Sequence, residues 1–302
     1  MMQTSVYQSA ATQDDEALLQ RTSLGQRFLR LCRKQPLGVA GALVVLTMTI
    51  AAVFAPWLTS YDPTANDFAA MTEPPSVTHW LGTDQFGRDL LSRIIYGART
   101  ALMVGFISAL TGGTIGLVLG VASAYFGGRF DLMFQRVMDV FMAFPLIIMA
   151  LAVVSIFGTG VQNVIIAITI PFIPRCARVV RSSALAIREI PYVDAARALG
   201  YGHWRIILRH MMPNVMAPYL IIVTASVGQA ILLEASLSYL GLGVQEPVPA
   251  WGLMLQGGAE EFVESAPWIA VFPGLAITLA VFGFNLFGDA VRDVLDPKLR
   301  TR

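Results

Sequence analysis

Residues 37–57, LGVAGALVVLTMTIAAVFAPW, decide the fold class of this chain, because the stretch is apolar and carries no charge over its whole length. A helix needs roughly 20 apolar residues to cross the ~30 Å hydrocarbon core of a bilayer. The chain is 55% hydrophobic and 14% charged, whereas about a quarter of the residues of a soluble domain are charged. We therefore predict an integral membrane protein.

Five further apolar stretches predict an all-α membrane protein with about six transmembrane helices. They are residues 100–126, 137–157, 161–174 with a continuation toward Val180, 215–240, and 268–287. Pro171 and Pro174 interrupt the fourth stretch, so we expect an irregular span there. The first stretch lies behind residues 1–36, which favours a retained signal-anchor over a cleaved signal peptide.

Lys and Arg in short loops favour the cytoplasmic side of a membrane. All but three of the 21 Lys and Arg residues lie on one side of the expected spans, and the exceptions are Arg88, Arg93 and Arg99. This count places Arg175, Arg178 and Arg181 in a long basic loop before the fifth span. It predicts that both termini are cytoplasmic, which agrees with an even number of spans.

The resulting organisation divides the chain into five parts. We expect a cytoplasmic tail over 1–36, the first span over 37–57, a periplasmic segment with an interfacial helix over 58–99, a core domain over 100–290 and a cytoplasmic tail over 291–302. The core domain contains five spans and the cytoplasmic loop 178–214. The interfacial helix is expected from residues 84–97, whose apolar side chains form one stripe.

The cytoplasmic loop contains the signals of a short helix. Pro191 suits the first helical turn, and Gly200 suits the left-handed residue that ends a helix. Four residues between them fall at i, i+3, i+4 and i+7 and so form one helical face: Tyr192, Ala195, Ala196 and Leu199. Spacing alone leaves two interpretations open, a helix packed on its own protein or a docking helix for a separate cytoplasmic protein.

The run DAARALG over 194–200 resembles the EAA loop of ABC importer permeases. Pro213 also fits that pattern, while Asp194, His210 and Met212 depart from its usual Glu, Ile and Leu. The resemblance implies that this helix is the coupling helix, which sits in a cleft of the ATPase subunit. The implied coupling residues are Pro191, Tyr192, Asp194, Ala195, Ala196, Arg197, Leu199 and Gly200.

Three other segments resemble the peptide/nickel branch of these permeases, and within it the dipeptide permease C-like type. They are LGTDQFGRD over 81–89 followed by Ser92 and Arg93, LGLG over 240–243 followed by Pro247, Pro249, Trp251 and Gly252, and the C-terminal run from Asn285 to Pro297. The first segment is the expected periplasmic motif, with Gly82, Thr83, Asp84, Gly87, Arg88 and Asp89.

The resemblance implies a type I ABC importer permease in the bacterial inner membrane. The expected partners are a homologous second permease, two cytoplasmic ATPase subunits, a periplasmic substrate-binding protein and the lipid bilayer, and no nucleic acid. This chain is expected to bind no cofactor, with ATP and Mg on the ATPases. Substrates of this branch include dipeptides, oligopeptides, nickel and glutathione.

The sequence lacks the motifs expected of an ATPase or of a zinc enzyme. A phosphate-binding loop needs Gly-Lys-Ser/Thr, and neither Lys34 nor Lys298 has that setting. The three histidines, His79, His203 and His210, do not form a zinc pattern. An ion-gradient-driven secondary transporter stays open as an alternative, although the sequence shows no convincing internal repeat.

Glu234 lies within the fifth expected span, where a carboxylate is costly. We expect it to face the helix bundle or the central path. Its place near the outer end of the span leaves two roles open. Glu234 either contributes to the pathway or an outer gate, or it has a hydrogen-bonded packing role.

Overall fold

The computed structural model describes residues 35–295. Of the expected tails, residues 1–34 and 296–302 lie outside this range. Within it the chain is helical, without a β-strand, and one isolated bridge joins Thr83 to Asp89. The prediction of an all-α protein is confirmed.

Eleven α-helices follow one another along the described chain. They are α1 (Pro36–Val53), α2 (Ala55–Leu58), α3 (Leu90–Phe126), α4 (Gly128–Met142), α5 (Leu146–Phe157), α6 (Val161–Arg188), α7 (Pro191–Ala198), α8 (His203–Ile206), α9 (Met216–Tyr239), α10 (Trp251–Glu261) and α11 (Trp268–Leu295). A 3-10 turn forms at Phe68–Ala70, and a π segment (Ile207–Met211) and a 3-10 turn (Met212–Val215) lead from α8 into α9.

Five helical segments are long and apolar enough to cross a membrane: α1, α3, α6, the run from α8 to the end of α9, and α11. A sixth crossing results if α4 and α5, which meet at 88°, form one broken span. Pro145 separates these two helices, because proline cannot donate a backbone hydrogen bond and disfavours helix at the residue before it. The third expected span, 137–157, is therefore bent.

The long helix α3 is the axis of the bundle and packs most extensively against α6. Gly112, Gly116 and Gly120 lie one turn apart on α3. A Cβ added to each would stand 2.9, 2.8 and 2.5 Å from the carbonyl oxygens of Thr169, Ile173 and Ala177. Small residues permit this backbone-to-backbone contact between membrane helices. Residue numbers increase in the same direction along both sides of this contact, so the two helices run parallel.

We call the end of the bundle where α3 and α6 begin the upper end, and the end where they finish the lower end. Helix α9 runs in the opposite direction, from the lower end to the upper end. On the periphery, Gly38 and Gly41 of α1 pack closely against Ala290 and Leu286 of α11.

The fourth expected span was predicted to be irregular, with interruptions at Pro171 and Pro174, and the structure does not show these interruptions. Helix α6 runs through both prolines to Arg188, and both rings are buried. Membrane helices tolerate proline where neighbouring helices surround the freed backbone groups. The charge count placed Arg175, Arg178 and Arg181 in a loop before the fifth span, and all three lie in this helix instead.

Two other differences concern the loops. The helix expected over 84–97 is not a separate element, because residues 84–89 form a turn and α3 starts at Leu90 and continues into the second span. The Asp89 carboxylate accepts a hydrogen bond from the Ser92 amide and so fixes this start. Helix α10, between the last two spans, was not predicted.

The contact between α3 and α6 generates a testable expectation. Gly116→Leu should lower the free energy of unfolding by about 3 kcal/mol, because the new side chain meets the α6 backbone. The control is Gly274→Ala in α11, where an added Cβ finds only Leu255 at 3.9 Å. Thermal unfolding in detergent measures both. Equal melting temperatures for the two variants would contradict the proposed packing.

Candidate functional sites at the two ends of the bundle

Helix α7 lies at the lower end and has the bounds that the sequence predicts. Pro191 occupies its first turn, and Leu199 is its C-terminal cap. Gly200 has φ +77°, the left-handed conformation. The amides of Gly200 and Tyr201 donate to the carbonyls of Arg197 (2.9 Å) and Ala196 (3.1 Å). This pair of hydrogen bonds is the Schellman motif that ends helices at glycine.

The buried face of α7 is not the face formed by Tyr192, Ala195, Ala196 and Leu199. Val193 and Ala196 are buried, and Val193 shares a cluster with Ile206 and Met211. Tyr192 and Leu199, predicted to lie with Ala196 on one face, are exposed, Leu199 by 72%. The other exposed residues of the predicted coupling set are Pro191, Asp194, Ala195, Arg197 and Gly200. The exposed surface of α7 is therefore made of small residues, one ion pair and two large side chains, Tyr192 and Leu199.

The Tyr192 hydroxyl joins α7 to the segment that enters α9. It donates to the carbonyl of His210 at 3.0 Å, and the Asn214 amide donates to the same carbonyl at 2.7 Å and to the hydroxyl at 3.1 Å. The His210 ring stacks on Tyr201, with centroids 5.9 Å apart and planes at 7°. Because Tyr192 and Asn214 use the backbone of residue 210, the unusual histidine leaves this connection intact.

Helix α7 also contacts the lower end of α3. The Arg197 guanidinium lies 5.1 Å from the centre of the Tyr125 ring and pairs with Asp194 at 3.0 Å. The Tyr125 hydroxyl is 2.7 Å from Nδ1 of His203. Helix α7 is thus attached to α3 through aromatic contacts, to α9 through hydrogen bonds, and to α6 through the short link 189–190.

A cluster of charged side chains lies at the upper end, about 55 Å from α7 along α3. Arg88 donates to Asp84 at 2.7 Å and, through both terminal nitrogens, to Glu246 at 2.6 and 3.1 Å. Arg93 reaches Glu246 at 3.3 Å and the carbonyl of Pro63 at 3.0 Å. We call Asp84, Arg88, Arg93 and Glu246 the upper charge cluster.

The predicted periplasmic motif builds this cluster through two glycines. Gly82 and Gly87 have φ values of +79° and +71°. A Cβ at Gly87 would lie 1.7 Å from the carbonyl oxygen of Asp67, so only glycine fits there. Thr83 donates to the Ala70 carbonyl, and Asp89 caps α3 and lies 3.0 Å from His79.

The motif is therefore folded inward. Thr83, Asp84, Arg88, Asp89 and Arg93 are all buried, and of the four cluster members only Glu246 is substantially exposed, by 39%. The adjoining loop is ordered locally by Thr64, whose hydrogen bonds hold the pKa of Asp62 below its usual range. The arrangement ties the segment before α3 to the segment after α9.

Glu234 lies near the upper end of α9 and is 1% exposed. Ser238 donates to its carboxylate at 2.8 Å and accepts from the Val244 amide at 3.1 Å. Through Ser238, the Glu234 carboxylate thus helps to hold the loop that carries Glu246. Such hydrogen bonds are what a packing role of Glu234 requires.

Sequence reasoning missed several residues of these sites. The sequence places Glu246 and Asn214 in loops and Tyr125 in a span, and assigns none of them to a site. Their partners lie far away along the chain, so no local spacing signal could reveal them. Within 35–295 there is no group of three or more metal-ligating side chains.

Comparison with known proteins identifies the family. The family model described as binding-protein-dependent transport system inner membrane component matches residues 112–301, and the model for the N-terminal TM domain of oligopeptide transport permease C matches residues 23–75. The chain belongs to the family of binding-protein-dependent transport permeases. In this chain, α7 and the glycine that ends it contain the EAA-like run over 194–200.

Individual relatives agree with this membership. A putative peptide transport system permease protein of Brucella suis is 45% identical over 90% of each chain. A dipeptide transport system permease protein of Alkalihalophilus pseudofirmus is 43% identical over 89% of this permease and 88% of its own length. A glutathione transport system permease protein of Pectobacterium atrosepticum is 43% identical over 91% and 90%.

Solved structures show the same fold. A chain of the MetNI methionine ABC transporter, in inward-facing conformations, superposes with a TM-score of 0.55 at 18% identity and covers 68% of this permease and 98% of that chain. A second crystal form gives a TM-score of 0.54 at 19% identity, covering 68% and 96%. At this identity the likeness establishes the fold alone.

The upper charge cluster provides a test. Glu246→Gln should lower the free energy of unfolding by about 2–3 kcal/mol, because two buried guanidinium groups then share one fully charged partner, Asp84. Glu264→Gln is the control, since Glu264 is exposed. Thermal unfolding at low and high salt measures the difference. An unchanged melting temperature for Glu246→Gln would show that Glu246 does not stabilise the cluster.

Proposed function

We propose that this chain forms half of the translocation pathway of an ATP-binding-cassette importer for di- and oligopeptides or similar small solutes. The observation that carries the proposal is α7, a short exposed helix held by α3, α6 and α9 at the lower end of the bundle. The EAA-like run in α7 and the names of the relatives support it. The same names leave glutathione as an alternative substrate, and the resemblance to the peptide/nickel branch adds nickel.

The importer contains a homologous second permease, two ATPase subunits that bind ATP and Mg, and a periplasmic binding protein. We assign six spans to this chain, counting α4 and α5 as one broken span, with both termini in the cytoplasm of a bacterial cell. The lower end then faces the cytoplasm and the upper end the periplasm. The basic residues of the loop after α6, among them Arg197, Arg205 and Arg209, support this orientation.

The contacts of α7 suggest how it transmits movement. A displacement of α7 by the ATPases pulls on α6 through the link 189–190 and on α9 through Tyr192, His210 and Asn214. Helix α3, packed against α6 along its glycines, is the reference against which both move. Such a change between two packed arrangements gives alternating access of the pathway to the two sides of the membrane.

The upper end has a supporting role in this proposal. The buried motif over Gly82–Asp89 brackets the start of α3 and shapes the surface that receives the binding protein. Glu234 contributes to the outer gate by holding the loop after α9 through Ser238 and Val244. An ion-gradient-driven mechanism is disfavoured because the family is binding-protein-dependent.

Substitution of Gly200 tests the coupling function. Gly200→Val should reduce peptide uptake per ATP hydrolysed about 5- to 30-fold, because a β-branched residue at φ +77° strains the end of α7 by about 1–2 kcal/mol. Gly200→Asn should retain most activity, since Asn tolerates this conformation. The measurement is ATPase activity and uptake by the purified importer in proteoliposomes.

Gly202→Val is the matched control. An added Cβ finds no atom of this chain within 4 Å at either glycine, but Gly202 has an ordinary φ of −63°. We expect near-normal coupling in this variant. If Gly200→Asn and Gly200→Val uncouple equally, backbone conformation is not the cause. Uptake that persists in vesicles without any ATPase would reject the importer proposal itself.

A further inference from the structure

Arg175 lies deep within the membrane-spanning part of α6. It stands about 21 Å from the start of the helix at Val161, by the rise of 1.5 Å per residue. Its hydrogen-bond partner, the side-chain oxygen of Gln229, stands about 15 Å from the upper end of α9. Both positions fall inside a ~30 Å hydrocarbon core that begins at the upper ends of α6 and α9.

Arg175 is exposed on the surface of this chain. Among the described residues it has no carboxylate within ion-pair distance, whereas Arg178 pairs with Asp139 and Arg181 with Asp131 on α4. An arginine facing lipid at this depth is strongly disfavoured, so charges within spans face other protein or a water-filled cavity. Arg175 therefore does not face the hydrocarbon.

The pair is rich in unused hydrogen-bond donors. A guanidinium has five N–H donors, and the hydrogen bond to Gln229 uses one of them. Because Gln229 accepts through its carbonyl oxygen, its amide group keeps two N–H donors. The pair thus has six free N–H donors and a single acceptor atom, which already accepts one hydrogen bond. Such an array of donors around one positive charge matches a carboxylate, which offers two oxygens and no donor.

The position of Gln229 on α9 indicates what this surface borders. Ala225, Gln229, Leu232 and Ser236 lie at i, i+4, i+7 and i+11 on one face, and all four are exposed or half-buried. This stripe runs along much of the span and mixes polar with apolar side chains. A wall that water and a solute can follow has this character, while the exposed side of α1 has only Thr47 and Thr49 as polar residues, and both hydroxyls bond to the backbone of α1 itself.

We propose that Arg175, positioned by Gln229, lines the translocation path midway through the membrane and binds the carboxylate of the transported solute. The inference rests on the proposed function and deepens it, because it makes a free carboxylate the feature of the cargo that this chain recognises. Peptides and glutathione carry such a group.

Uptake of two matched peptides by the complete importer tests the proposal. The cargo is one dipeptide with a free C-terminal carboxylate and the same dipeptide with a C-terminal amide. Arg175→Gln should lower uptake of the free acid about 10- to 100-fold at subsaturating concentration, the range for losing a hydrogen bond to a charged group. It should change uptake of the amide less than about twofold, and Arg175→Lys should restore part of the preference.

Arg178→Gln is the control, because Arg178 lies one turn below and is paired with Asp139. It should leave the preference between acid and amide unchanged. Equal losses for both peptides in Arg175→Gln, or no loss, would overturn the proposal. So would dissociation of the two permeases in that variant on a sizing column, which would make Arg175 the partner of a carboxylate on the second permease.

A second measurement does not depend on the substrate. In a cysteine-free background, Arg175→Cys should react with a membrane-impermeant methanethiosulfonate reagent, whereas Leu46→Cys, on the exposed apolar side of α1, should not. An unreactive Arg175→Cys would overturn the path-lining role. If the wild-type importer takes up neither peptide, the proposed function fails, and this labelling still decides whether Arg175 faces water.

Discussion

The close contact between α3 and α6 is the constraint on which the other features depend. Lipid tails are as apolar as leucine, so helices in a bilayer gain little from burying apolar side chains and associate through close packing. Three glycines of α3, one turn apart, provide that packing against the α6 backbone. This contact aligns α6 with α3 and so places the end of α6, and α7 after it, beside the lower end of α3. It also fixes which face of α6 stays open, and Arg175 stands on that face.

Helix α9 connects the two ends that α3 holds apart. At the lower end His210 and Asn214, just before α9, bond to Tyr192 of α7. At the upper end Ser238 fastens the loop whose Glu246 balances Arg88 and Arg93. A rigid rotation of α9 driven from α7 would therefore strain the upper charge cluster. The two distant sites are linked by one element, without any contact between them.

Local chemistry was enough to predict α7, since Pro191 and Gly200 fix its ends whatever surrounds it. Its inward face could not be predicted, because Val193 is buried by the segment 206–211, which lies beyond a turn. The prolines of α6 show a different limit. Pro171 and Pro174 predicted an irregular span, because in an isolated helix each proline removes a backbone hydrogen bond and destabilises the helix. In a packed bundle both rings are buried against neighbouring helices, and the helix continues. The upper charge cluster joins residues 158 positions apart, and no pattern of spacing contains that pairing.

Because α6 extends to Arg188, beyond the end expected from the sequence, Arg175 has a different interpretation. Counting Lys and Arg treats every cation near a span as a topology signal, and among the cations after α6 this suits Arg197, which lies outside the helical segments long enough to cross a membrane. It does not work for Arg175, because a helix that passes through Pro174 carries the cation into the hydrocarbon region. There a charge is tolerated only beside water or a partner. Arg178 and Arg181 meet carboxylates of α4, which explains them within this chain. Arg175 meets only the neutral oxygen of Gln229, so the reason for its charge lies outside the chain, on the side where the solute passes.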